Sequence, residues 1–260
     1  MALPGAAPAS AAPTQVAGVD FEQRLGAQLP LDGTYRDDTG RSLPLRSYFG
    51  HGPVVLIFGY SRCPQLCSVV AEGTVETLRS LEPTVGRELS VLYVSIDPAD
   101  TPRDMAAMKR RDAGRYGRSG SEGGWHYLTG SPAAIRRLTD AAGFHFKYDP
   151  ATRLYAHAAG FLVLTPDGRA SRYFPGVDFS AEDLATALER AGKGKTGESV
   201  FNLLLVCARG LGVSGRYGRL IWDVLGVAVG LTVVALFGGI AWMLRAERRR
   251  SGAASEGEAR

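Results

Sequence analysis

Between about residues 19 and 192, apolar and polar positions follow two rhythms, and each marks a different kind of element. Val54 to Tyr60 (VVLIFGY) and Ser90 to Ile96 (SVLYVSI) are short, continuous apolar runs rich in β-branched residues, which predict strands covered on both faces. After the first run, Pro64 stands where a helix can begin without an N–H partner, and Leu66, Val70, Leu78 and Leu81 supply an inward stripe. After the second, Thr101-Pro102-Arg103-Asp104 has the form of a capping box with proline at the first helical position, opening a helix to about Asp112. Trp125 to Leu128 reads as a strand, and Ser131 caps a helix to about Ala142. Gly160 to Leu164 and Ser171 to Phe174 flank Thr165-Pro166-Asp167-Gly168 as a hairpin, and Ser180 caps a last helix to about Ala191. Ahead of all these, Tyr35 to Leu43 around Asp37-Asp38-Thr39-Gly40 predicts a short hairpin.

The resulting order, β-α-β-α-β-α-β-β-α with a closing antiparallel pair, is that of an α/β, thioredoxin-like sandwich over residues 19–192. Residues 1–18, with Pro4, Pro8, Pro13 and many alanines, have no periodicity and too little apolar surface to pack, so they read as a disordered lead-in. Residues 193–220 read as a Gly-rich linker. Val224 to Leu244 is a stretch of 21 residues without a charge, long enough to cross a bilayer as a helix, which predicts a single C-terminal transmembrane helix within 221–245. Arg245, Arg248, Arg249 and Arg250 open a basic tail, 246–260, and favour a cytoplasmic C-terminus. The globular domain would then sit outside the cytoplasm. Because the first residues lack the apolar run of a signal peptide, an export signal upstream of Met1 is expected.

Composition changes this picture little. Charged residues make up 22% of the 260, and the 30 basic side chains are spread thinly apart from the cluster at Arg245 to Arg250, which is no nucleic-acid footprint. Three cysteines are too few for a disulfide scaffold, and two of them lie four positions apart.

Those two, Cys63 and Cys67, carry the candidate chemistry. Cys63 follows a buried strand at the start of a helix, where the helix dipole and unpaired N–H groups favour thiolate, and Arg62 adds a positive neighbour. Cys67 falls one turn later on the same face. With Cβ atoms roughly 5–6 Å apart, the pair is wide for a disulfide and suits two thiolates on one metal ion. Soft thiolates favour Cu(I) or zinc and call for a further ligand. Four histidines compete for that role: His51, His126, His145 and His157. His157 lies just before the Gly160 strand, a position that abuts the cysteine helix in thioredoxin-like folds and that disulfide oxidoreductases fill with proline; here no proline occurs from Ala151 to Leu164. His157 is the expected third ligand and His145 the reserve. Asp97 reads either as a turn carboxylate before Pro98 or as a neighbour of the site, and Cys207 as packing within an apolar run.

Gly59-Tyr60-Ser61-Arg62-Cys63-Pro64-Gln65-Leu66-Cys67, the Val94-Ser95-Ile96-Asp97-Pro98 strand end and His157 ahead of the Thr165-Pro166-Asp167-Gly168 hairpin together resemble the Sco/SenC family from about Gly26 to Ala191. The C-terminal anchor resembles that of a bacterial subgroup, which implies an inner-membrane protein with its domain in the periplasm, and the resemblance implies a copper ion held by Cys63, Cys67 and His157. It also implies a chaperone role in assembling the copper A centre of cytochrome c oxidase, with the apo copper-bearing subunit as partner and other copper or thiol-redox proteins as further partners. Gln65 stands where many members carry Asp, and Ser68 where many carry a second proline. The competing readings are a membrane-anchored thiol-disulfide oxidoreductase using Cys63 and Cys67, and a peroxidase with Cys63 as the reactive thiol and Ser61 two residues before it.

Overall fold

The computed structural model describes residues 18–63 and 66–197. The chain enters through a hairpin of β1 (Thr34–Asp37) and β2 (Ser42–Pro44). Its turn is tied by Asp37, whose carboxylate accepts from the backbone N–H groups of Thr39 and Arg41, while Gly40 takes the left-handed conformation the turn requires. β3 (Val54–Gly59), α1 (Leu66–Ser80), β4 (Ser90–Ser95), α2 (Pro102–Tyr116), β5 (Trp125–Gly130) and α3 (Pro132–Ala141) follow in the expected alternation. Next come β6 (Phe146–Asp149) and β7 (Leu154–His157), a pair that hydrophobic patterning did not announce. β8 (Gly160–Leu164), β9 (Ala170–Pro175) and α4 (Ala181–Gly192) close the unit.

Seven strands form one sheet in the order β2-β1-β5-β4-β3-β8-β9. β3, β4 and β5 are parallel, and β8 and β1 join them antiparallel on either side. All six residues of β3 are buried, which explains its unbroken apolar run: alternate side chains serve two cores. Leu56, Phe58, Leu92 and Val94 join Leu138 and Phe144 on one face, while Val55, Ile57, Val91 and Tyr93 join Val70, Leu78, Met105 and Leu184 on the other. The expected stripe of α1 is largely realised, with Val70 and Leu78 buried; Leu81 is buried just past the helix end. The capping box at Thr101 and Asp104 forms as expected. However, α2 runs a turn beyond Asp112, because Tyr116 is buried and only Gly117, in the left-handed conformation, stops it.

β6 and β7 pair with each other and make no ladder with the main sheet. The hairpin's turn is local chemistry: Asp149 accepts from the Ala151 N–H and the Thr152 hydroxyl, and Arg153 has a φ of 59°. Among the described residues no helix is long and apolar enough to cross a membrane. The segment Val224 to Leu244, the linker, the basic tail and Cys207 lie outside the described residues.

Candidate metal centre

The loop after β3 is fixed by polar contacts to the end of β4. The Gly59 carbonyl accepts from the Ile96 N–H at 2.8 Å. Ser61 donates to Asp100 through both its N–H (2.8 Å) and its hydroxyl (2.6 Å), and Asp100 also accepts from the Ser95 hydroxyl at 2.6 Å. Asp100 is 7% exposed, so a buried carboxylate with three donors clamps the loop that leads to Cys63. The sequence reading missed this residue; the signal available was a second carboxylate three places after Asp97, which patterning alone does not assign to Ser61.

Cys63 sits at the entry to α1, and its sulfur accepts from the Cys67 N–H at 3.3 Å, the role a cap plays at a helix start. Cys67 is buried and its sulfur lies 2.8 Å from Nε2 of His157. His157, the last residue of β7, is half-buried and its Nδ1 lies 2.8 Å from the Ala158 carbonyl. When Nδ1 carries the proton and donates to that carbonyl, the Nε2 lone pair faces the cysteines, the tautomer a metal ligand needs. The two sulfurs and the His157 nitrogen all lie within 4.8 Å of one another. The expected ligand set is therefore brought together from two separate elements, and two thiols with one imidazole form a donor set that fits a soft cation such as Cu(I).

Electrostatics at the pair bear first on Cys67. The Cys63 sulfur beside it, and then burial, push the Cys67 thiol up, with the Tyr60 N–H opposing. Arg62, expected to support a Cys63 thiolate, bonds instead to Asp97 at 2.8 Å with its side chain 68% exposed, so solvent and a carboxylate both screen it. Asp97 serves as both alternatives suggested: it caps the turn by accepting from the Ala99 N–H, and it borders the site through Arg62. The hydroxyl of Ser61 is taken by Asp100, which leaves it poorly placed to polarise a peroxide at Cys63.

The other histidines are elsewhere. His145 precedes β6 and faces Asp20 at 3.7 Å and Glu22 at 3.5 Å; His126, on β5, packs its ring against Tyr48; His51 is exposed in a turn. Tyr60, a second residue the sequence reading did not single out, stands against His157 with ring centroids 6.0 Å apart at 77°.

Comparison with known proteins agrees with this architecture. A mitochondrial SCO2 homologue of Bos taurus is 27% identical over 143 residues, a match covering 53% of this chain and 50% of that protein, so the chain spans about half the length of this relative. An Aquifex aeolicus VF5 crystal structure superposes with a TM-score of 0.58 at 24% identity, covering 66% of this chain and 96% of that one. Arabidopsis thaliana ScoI with copper bound superposes with a TM-score of 0.51 at 15% identity, covering 62% and 96%. At these identities the two structures establish the shared fold. The SCO1/SenC family model matches residues 34–193, from the first strand of the sheet through the last helix, and the chain belongs to that family.

Proposed function

We propose that this chain binds one copper ion as cargo through Cys63, Cys67 and His157, and serves as a chaperone in assembling the copper A centre of cytochrome c oxidase by passing that ion to the apo copper-bearing subunit. The observation that carries this reading is the convergence of two sulfurs and an imidazole nitrogen within 4.8 Å, from a helix start and a separate hairpin. Family membership and the copper-bound Arabidopsis structure support the choice of copper over zinc. In this reading the protein supplies soft donors and a correctly protonated imidazole. Copper uptake displaces the thiol protons of Cys63 and Cys67 to solvent, and release follows when thiolates of the recipient replace the protein's ligands one by one.

The reading extends to location. The uncharged stretch Val224 to Leu244 and the arginines after it support a single membrane anchor with a cytoplasmic tail, which leaves the copper domain on the extracytoplasmic side beside a membrane-bound oxidase. Thiol-disulfide exchange through Cys63 and Cys67 is the rival role.

The deciding experiment loads the reduced full chain with Cu(I) and measures bound metal for wild type, Cys63→Ser, Cys67→Ser and His157→Ala. The expected result is about one copper per wild-type chain, no retention in either serine variant, and affinity lowered by tenfold or more, about 1.4 kcal/mol, in His157→Ala. Copper uptake that ignores His157, or none at all while the cysteines cycle between dithiol and disulfide, would move the assignment to the oxidoreductase.

A further inference from the structure

His157 is carried by a hairpin that lacks any ladder to the main sheet, and an isolated two-stranded pair is marginally stable in water. Something other than sheet pairing must hold its imidazole over the cysteines. Aromatic packing supplies part of the tie: Tyr155 meets Phe146 at 5.8 Å and Tyr60 at 5.4 Å between ring centroids. Such contacts set proximity, and the short link to β8, whose Ala159 carbonyl accepts from the Gly176 N–H at 3.0 Å, anchors the far end of the strand to the main sheet.

The directional tie from β7 to the cysteine loop comes from one hydroxyl. Tyr60 Oη accepts from the Tyr155 N–H at 3.3 Å and donates to the Tyr155 carbonyl at 3.4 Å, so a single side chain clasps both backbone groups of one residue of β7. Tyr155 and His157 are two apart on a strand and therefore point to the same face. Tyr60 is itself anchored, because it is 3% exposed and directly follows β3 in the loop that Asp100 clamps. Its ring stands edge-on to the imidazole.

We propose that Tyr60 is the positioning residue of the site: its hydroxyl locks β7 to the cysteine loop and so determines how well His157 acts as third ligand. This rests on the copper-site reading. Tyr60→Phe keeps the ring and the packing and removes only the clasp. The hydroxyl is worth about one net hydrogen bond, so Cu(I) affinity should fall about tenfold in the wild-type background.

The test is a double-mutant cycle on the full chain, with Tyr60→Phe, His157→Ala and the double variant titrated with Cu(I) against a competing chelator. Tyr60→Phe should weaken binding in the wild type and have no further effect once His157 is gone, and copper X-ray absorption should show a weaker nitrogen contribution in Tyr60→Phe. Equal losses in both backgrounds, or none in either, overturn the proposal while leaving the copper site standing. If wild type takes up no copper the site reading itself fails. The metal-free comparison then decides: faster amide exchange at Tyr155 and a shifted His157 imidazole resonance in Tyr60→Phe uphold the clasp, and unchanged spectra overturn it.

Discussion

The two cysteines and the histidine reach the same spot by unlike routes. Cys63 and Cys67 belong to the main sheet: they follow its fully buried strand β3, cap and open the helix packed on it, and come after a loop whose Ser61 is held by Asp100, in the loop past β4. His157 ends a four-residue, half-buried strand of a hairpin that makes no ladder with the main sheet, three residues before the chain re-enters that sheet at Gly160. One part of the site is therefore built into the main sheet, while the other depends on a small hairpin, its side-chain contacts and a short link to β8. For the carrier role proposed above, that division separates a two-sulfur base that retains the ion from a third ligand on a local element that can shift without unfolding the sheet.

The comparison breaks most severely where the two halves join. Gly160 is the first residue of β8 after the hairpin, with a φ of 134°, and a Cβ there would lie 2.3 Å from the Phe174 carbonyl oxygen. Gly160→Ala combines a backbone conformation that L-residues avoid with a collision against backbone, so it should lower unfolding free energy by roughly 3–5 kcal/mol in urea denaturation. Because the strain falls on β8–β9 pairing, the loss should be global. A variant of unchanged stability would show that the joint is far softer than its geometry.

Much of the sheet half was legible beforehand, because its signals are local and redundant. Unbroken apolar runs gave β3 and β4, a proline-bearing capping box gave the start of α2, and Thr165 to Gly168 gave the β8–β9 turn. The hairpin half was not legible. Phe146-Lys147-Tyr148-Asp149 and Leu154-Tyr155-Ala156-His157 are too short for periodicity to separate from loop, although Asp149-Pro150 is a turn signal in hindsight. His157 was found from its place before the Gly160 strand, whereas the residues that hold the site, Asp100 and Tyr60, escaped notice because their partners lie 39 and 95 positions away in the chain. Contacts of that kind leave no pattern along a sequence.

The histidines sharpen the same contrast. His126 stands on β5 inside the sheet half, and burial, followed by the nearby Lys109, pulls it down from 6.5 to about 4. Its folded value lies below its unfolded one, so between pH 6.5 and pH 4 the unfolded chain binds more protons and stability must fall as pH falls. The contribution is complete above pH 6.5 and is lost on acidification through pH 4, about 3 kcal/mol in all. Urea denaturation of the metal-free chain at pH 7 and pH 4.5 should reveal the loss, and His126→Leu should remove most of it. An acid limb unchanged in that variant would put the sensitivity elsewhere, with the hairpin side of the molecule the next place to look.

The smallest effect tests how tightly the sheet half is finished beneath the cysteines. Tyr93, fully buried on β4, stacks on Tyr127 with centroids 5.1 Å apart, yet its hydroxyl has no hydrogen-bond partner. The hydroxyl points at the underside of Gly59, where a Cβ would come within 2.1 Å of it and 3.3 Å of the Cys67 Cβ. An unsatisfied buried hydroxyl costs about 1–3 kcal/mol. Tyr93→Phe removes that cost and keeps the stacked ring, at the expense of a small void, so stability should hold or rise by up to about 1 kcal/mol. Copper affinity should not change, because the cysteine base is set by Asp100 and the helix start and does not depend on what lies under Gly59. If stability instead drops by more than about 1 kcal/mol, the hydroxyl has a partner in solution.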